Sequence, residues 1–139
     1  MAVGYTEDET CHEYFHAFAE TWNGRKWHLS MLRRAPSLFF GASCPAKNRC
    51  FASGDTFPSR TGFAHPLIDS WNGRTWATQH SVSTAAPDSG DLLLHVSCVT
   101  QTNCEAVGYS FDPSVSNSDQ TLAEMWNGTS WTVQTTTNP

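Results

Sequence analysis

Residues 12 to 16 read His12-Glu13-Tyr14-Phe15-His16, the H-E-x-x-H spacing in which two imidazoles chelate zinc while the glutamate serves as general base. That chemistry needs a helix, because only a helical turn brings residues i and i+4 onto one metal ion. The surrounding TEDETCHEYFHAFAETW can be drawn as an amphipathic helix with an acidic first turn. In an extended chain, however, the two histidines would stand about 13 Å apart and could not share an ion. A third ligand at the usual spacing is also missing, since Glu20 follows too soon. His28, His65, His80 and His95 show no common repeat position and read as structural. The polar segment from Ser110 to Asp119 carries two acids that could hold calcium, but it lacks EF-hand spacing and reads as a surface loop. No G-x-S-x-G, P-loop or G-x-G-x-x-G string occurs, which removes the common hydrolase and nucleotide readings. We expect no cofactor and no metal.

The tryptophans are more informative. WNG occurs three times, each time followed by another Trp: WNGRKW at 22–27, WNGRTW at 71–76 and WNGTSW at 126–131. The copies start 49 and 55 residues apart. AVGY at 2–5 is answered by ASGD at 52–55 and AVGY at 106–109. SCPAKNRC at 43–50 and SCVTQTNC at 97–104 lie just upstream of the second and third Ala-x-Gly elements. A repeat of about 50 residues therefore runs SC-x5-C, then AxGx, then WNGxxW. In this register Met1 corresponds to Phe51 and Glu105, so the chain begins inside a repeat. His12, Glu13 and His16 fall against Ser116, Asn117 and Gln120, in a segment joining two strands. The zinc hydrolase is thus the alternative reading, against a loop that matches by chance.

Within a repeat the pieces read as four short strands, in the third copy about Leu92 to Cys98, Glu105 to Phe111, Thr121 to Trp126 and Ser130 to Thr135. Asn-Gly is a strong hairpin signal, and a loop of two or four residues places the flanking tryptophans on one face. Four antiparallel strands in about 50 residues match a propeller blade, whereas helical repeats need a 3.6-residue periodicity absent here. The expected fold is therefore all-β, a single three-repeat β-propeller unit over 1–139. Its blades span about 1–34, 35–84 and 85–139, the first lacking its first strand. Sheets of this size cannot bury their faces alone, so Trp22, Trp27, Trp71, Trp76, Trp126 and Trp131 read as inter-blade filling that buries most of each indole.

Length and composition agree. At 139 residues and 15.4 kDa the chain makes one domain, and its 31 Ser and Thr with only 15% charged residues suit strands and loops better than surface helices. A net charge of −5 with two lysines leaves no basic stripe for nucleic acid, and no apolar run approaches the ~20 residues of a membrane helix. No signal-peptide pattern follows Met1. Two cysteine pairs recur in register, Cys44 with Cys50 and Cys98 with Cys104, and read as disulfides stapling first strand to second in an oxidising compartment. A four-thiolate zinc site is the competing reading, although zinc pairs favour two to four intervening residues and these have five. Cys11 is left over as a free thiol, an intermolecular bridge or a buried small apolar residue.

The combination of SC-x5-C, AVG and LAE-x-WNG-x-SW resembles the repeats of secreted bacterial β-propellers of actinobacterial type. The WNGxxW hairpin is also similar in placement to the Asp-box of BNR repeats, although Asn23, Asn72 and Asn127 stand where that box has its turn residues and no Asp precedes the Gly. The resemblance implies a propeller, an extracellular location and a binding role, and leaves the ligand open.

Three blades are too few to close a ring, so two open ends are expected. Either chains assemble, as a homo-oligomeric dimer, larger ring or filament, or the chain is part of a longer propeller. The expected function is an extracellular binding or assembly module for glycan or protein. Tyr5, Asp55 and Tyr109, at the end of the second strand of each repeat, are the candidate ligand contacts. The enzyme alternatives are the zinc hydrolase and a glycosidase, which would need two facing carboxylates about 5–9.5 Å apart.

Overall fold

A computed structural model describes residues 1–8, 14–32, 35–57, 62–82, 89–112 and 119–138. These residues form eleven strands and no helix, in three antiparallel sheets of three, four and four strands. Sheet 1 contains β1 (Ala2–Asp8), β2 (Tyr14–Trp22) and β3 (Trp27–Met31). Sheet 2 contains β4 (Ser37–Ala46), β5 (Arg49–Thr56), β6 (His65–Trp71) and β7 (Trp76–Gln79). Sheet 3 contains β8 (Gly90–Thr100), β9 (Asn103–Phe111), β10 (Gln120–Trp126) and β11 (Trp131–Val133). Within each sheet every strand pairs with the next in sequence, so every sheet is a simple meander, and among the described residues sheet 1 has no counterpart of β4 or β8. Among the described residues no helix is long and apolar enough to cross a membrane.

The WNGxxW hairpins are built alike. Trp22 pairs with Trp27, Trp71 with Trp76 and Trp126 with Trp131, so the loop between strands is the four residues Asn-Gly-x-x. The Asn carboxamide oxygen accepts the amides two and three residues on, for example from Thr129 and Ser130 to Asn127 at 2.9 and 3.0 Å. The same pair of bonds recurs at Asn23 and Asn72. Gly24, Gly73 and Gly128 take φ of 95°, 94° and 99°, a left-handed conformation that side chains resist. The paired indoles lie 5.6–5.7 Å apart in all three hairpins.

The Ala-x-Gly element has its own cause. β4 and β8 each shift register twice against their partners, at Phe39/Gly41 and Ser43/Ala46 and at Leu93/His95 and Cys98/Thr100. The first shift presses a carbonyl onto the neighbouring strand, and a Cβ on Gly54 or Gly108 would run into the carbonyl of Leu38 or Leu92. Disulfides Cys44–Cys50 and Cys98–Cys104 close the far ends of the same strand pairs, β4 to β5 and β8 to β9.

Residues opposite one another in a ladder share a face, so each sheet has a face bearing its two tryptophans and a reverse face. The Trp face of sheet 3 packs on the reverse face of sheet 2: Leu93, Val96, Ala106, Leu122, Trp126 and Trp131 enclose Phe51 and Ile68. The Trp face of sheet 2 packs on the reverse face of sheet 1, where Phe39, Ala52, Leu67 and Trp76 meet Val3 and Ala17. The sheets converge at β4 and β8, where a Cβ on Gly41 would lie 3.0 Å from the His95 Cα. An inter-sheet hydrogen bond runs there too, from the Cys98 amide to the Ser43 hydroxyl at 3.0 Å, and the Asp91 amide of β8 donates to the Ala64 carbonyl just before β6 at 3.1 Å.

The expectation that all six indoles are mostly buried needs correction. Trp126 and Trp131 are 4% and 3% exposed, Trp71 and Trp76 are half-buried, and Trp22 and Trp27 are 52% and 49% exposed. The gradient follows what lies against each Trp face. The Trp face of sheet 3 meets a four-stranded neighbour, that of sheet 2 a three-stranded one, and that of sheet 1 no other sheet among the described residues.

Candidate functional site

The Trp face of sheet 1 carries the two most exposed tryptophans among the described residues. Its register places Phe18, Glu20 and Trp22 of β2 beside Trp27, Leu29 and Met31 of β3. Trp22, Trp27 and Leu29 are all about half exposed. Phe18 lies over Gly4, its ring 3.1 Å from where a Cβ would be, so β1 contributes a flat floor rather than a competing side chain. The turn at its end carries Arg25 and Lys26, and His28 bonds the Asn23 carboxamide at 2.7 Å. An exposed apolar surface thus lies beside polar and basic turn residues.

A groove of about 590 Å³ runs beside it between sheets 1 and 2, bordered by Met1, Trp22, Asn23, Lys47 and Trp71 and by the Cys44–Cys50 disulfide. It opens where Met1 occupies the place that Phe51 fills between sheets 2 and 3. Phe51 there stacks 5.4 Å from both Trp126 and Trp131, under the Arg49 guanidinium. The Met1 thioether instead lies 3.6 Å from Cys44 Sγ and leaves Trp71 partly open.

A feature missed by the sequence reading is an acid two residues before the first Trp of each hairpin: Glu20, Asp69 and Glu124. The repeat alignment contains that signal. Glu124 is buried, and the connection leaving sheet 2 bonds it, the Ser81 hydroxyl at 2.6 Å and the Val82 amide at 3.3 Å. Burial raises its pKa, with those bonds opposing and Asp91 adding repulsion. Asp69 is likewise buried, whereas Glu20 is half-buried on the open face. The alignment also places His65 where sheet 1 has His16, a correction to the reading that the histidines share no position.

The other candidate residues are dispersed. Asp55 is 1% exposed and faces sheet 3, where it accepts the Leu93 amide while Oδ1 has no partner among the described residues. Desolvation pushes its pKa up to about 7. Tyr5 is exposed and packs edge-on to Phe15 and Phe40 at 5.7 and 6.3 Å. Tyr109 sits on the reverse face of sheet 3 beside Phe111 at 6.3 Å. The three therefore lie on three sheets, and none of them borders the groove. His16 lies on β2 opposite Thr6, in extended chain rather than helix. His12, Glu13 and Cys11 fall outside the described residues, as do 113–118 of the polar loop. Among the described residues no group of three or more His, Cys, Asp or Glu could hold a metal ion.

Comparison of the chain with protein-family models, curated proteins and solved structures finds no match.

Proposed function

We propose that this chain is an extracellular β-propeller-type module that works by recognition, seating a macromolecular partner on the open Trp22–Trp27 face. The observation that carries this reading is the exposure of that one Trp pair in a molecule whose other two pairs are covered by a neighbouring sheet. Two disulfides suit an oxidising, extracellular setting. A protein surface is the favoured partner, because the equivalent Trp faces of sheets 2 and 3 each pack on another sheet of the same chain. A glycan is the second reading, favoured by two half-exposed indoles whose faces suit sugar stacking.

Enzymatic readings have less support. The buried carboxylates among the described residues are Asp55, Asp69, Asp91 and Glu124, and none of them borders the open groove. Sedimentation of the wild type and of Trp22→Ser/Trp27→Ser, run beside a glycan array with both proteins, tests the proposal. Self-association or glycan retention that the double variant loses is the expected result. A monomer silent on the array, or binding unchanged in the variant, overturns it.

A further inference from the structure

We infer that the occupant of the open Trp face is the reverse face of sheet 3 from a second copy of this chain, giving a head-to-tail stack. The inference rests on the recognition reading above and names its partner. It follows from a contact the chain makes twice within itself, in which a Trp face receives the reverse face of the sheet before it. Among the described residues one element of each kind is left unused. Sheet 1 presents Trp22, Trp27 and Leu29, and the reverse face of sheet 3 presents Val107 and Met125, both more than a third exposed.

The polar partners match as well. Between sheets 2 and 3, Ser81 and Val82 lie five and six residues after Trp76 and hold Glu124, two residues before Trp126. Five and six residues after Trp131 stand Thr136 and Thr137, again a hydroxyl followed by a backbone amide. Their counterpart acceptor is Glu20, two residues before Trp22, which has no hydrogen bond or ion pair among the described residues. The Thr136 hydroxyl donates to the Thr121 carbonyl at 3.1 Å in the single chain and would be redirected on stacking. This geometry is heterologous, so it propagates until the ring closes.

The test is complementation between two surface variants. Trp22→Ser/Trp27→Ser disables the Trp face, and Val107→Lys/Met125→Lys disables the reverse face of sheet 3. Near-ultraviolet circular dichroism and thermal midpoint establish that each is folded. Expected are wild-type assemblies that are multiples of 15.4 kDa, monomers for each variant alone, and a heterodimer that forms on equimolar mixing and grows no further. Glu20→Ala should weaken wild-type assembly about tenfold, the loss of one charged hydrogen-bonded contact. If the Val107/Met125 variant assembles like wild type while the Trp22/Trp27 variant does not, the Trp face is an interface with some other occupant. The inference then falls while the recognition reading stands. Wild type that remains monomeric also overturns it, and the glycan array then decides whether the recognition reading survives.

Discussion

Asp55 shows how a single buried carboxyl can tie pH to the packing of two sheets. It points from sheet 2 at the Leu93 amide of sheet 3, and desolvation holds its pKa near 7 against an ordinary 3.8. The folded state therefore binds the proton more tightly than the unfolded chain does. The stability this provides is complete below about pH 4 and is lost as pH rises through about 7. Asp55→Asn keeps an oxygen for the Leu93 amide without a charge to desolvate. We expect it to raise stability at pH 8 by on the order of 2 kcal/mol and to flatten the melting profile between pH 4 and 8, read by thermal denaturation. Glu124 is shifted in the same direction by burial, so the variant should retain some residual pH dependence. None of this was legible at residue 55 in the sequence, where Asp replaces Tyr5 and Tyr109 and reads as a surface contact.

At the scale of elements, each WNGxxW hairpin is locally determined but its energetic weight is not. Asn caps the loop, Gly supplies the positive φ and the Trp pair meets at the same separation in all three copies. Burial then separates them. Trp126→Ala removes an indole enclosed against Phe51 and should cost about 3–5 kcal/mol, whereas Trp22→Ala removes a half-exposed one and should cost under about 1 kcal/mol in the monomer. Chemical denaturation of the two variants checks this ranking, and equal costs would mean that the open face is covered in solution. The disulfides act on the strands they join. Closing a loop this short constrains the unfolded chain by about 2 kcal/mol, so Cys98→Ala/Cys104→Ala should lower unfolding stability by about that much. The hairpins and cysteine pairs could be read from the sequence because their causes lie within a few residues. The acid column of Glu20, Asp69 and Glu124 was present in the same alignment but acquires meaning only once Ser81 and Val82 are seen to reach across from sheet 2.

At the scale of the whole molecule, neither outer face of the stack meets another sheet among the described residues, and the proposed head-to-tail contact has a thermodynamic signature. If assembly buries the Trp22–Trp27 face, the thermal midpoint should rise with protein concentration, because association stabilises only folded chains. Trp22→Ser/Trp27→Ser should remove that dependence while changing the dilute-limit midpoint little. A scan of melting temperature against concentration for both proteins measures it directly.

Local chemistry alone determined the period of the repeat, the Asn-Gly turns, the cysteine pairing and the all-β character, with eleven strands among the described residues. Each depends on turn conformation, alternation or short loop closure, which involve neighbours in sequence. The tertiary structure decided which tryptophans are core and which are surface, that Asp55 and Glu124 face another sheet, and that a groove opens beside Met1. Those properties depend on what a sheet packs against. Identical hairpins in adjacent repeats encode the same face, and only stacking order gives one of them a neighbour and leaves another without.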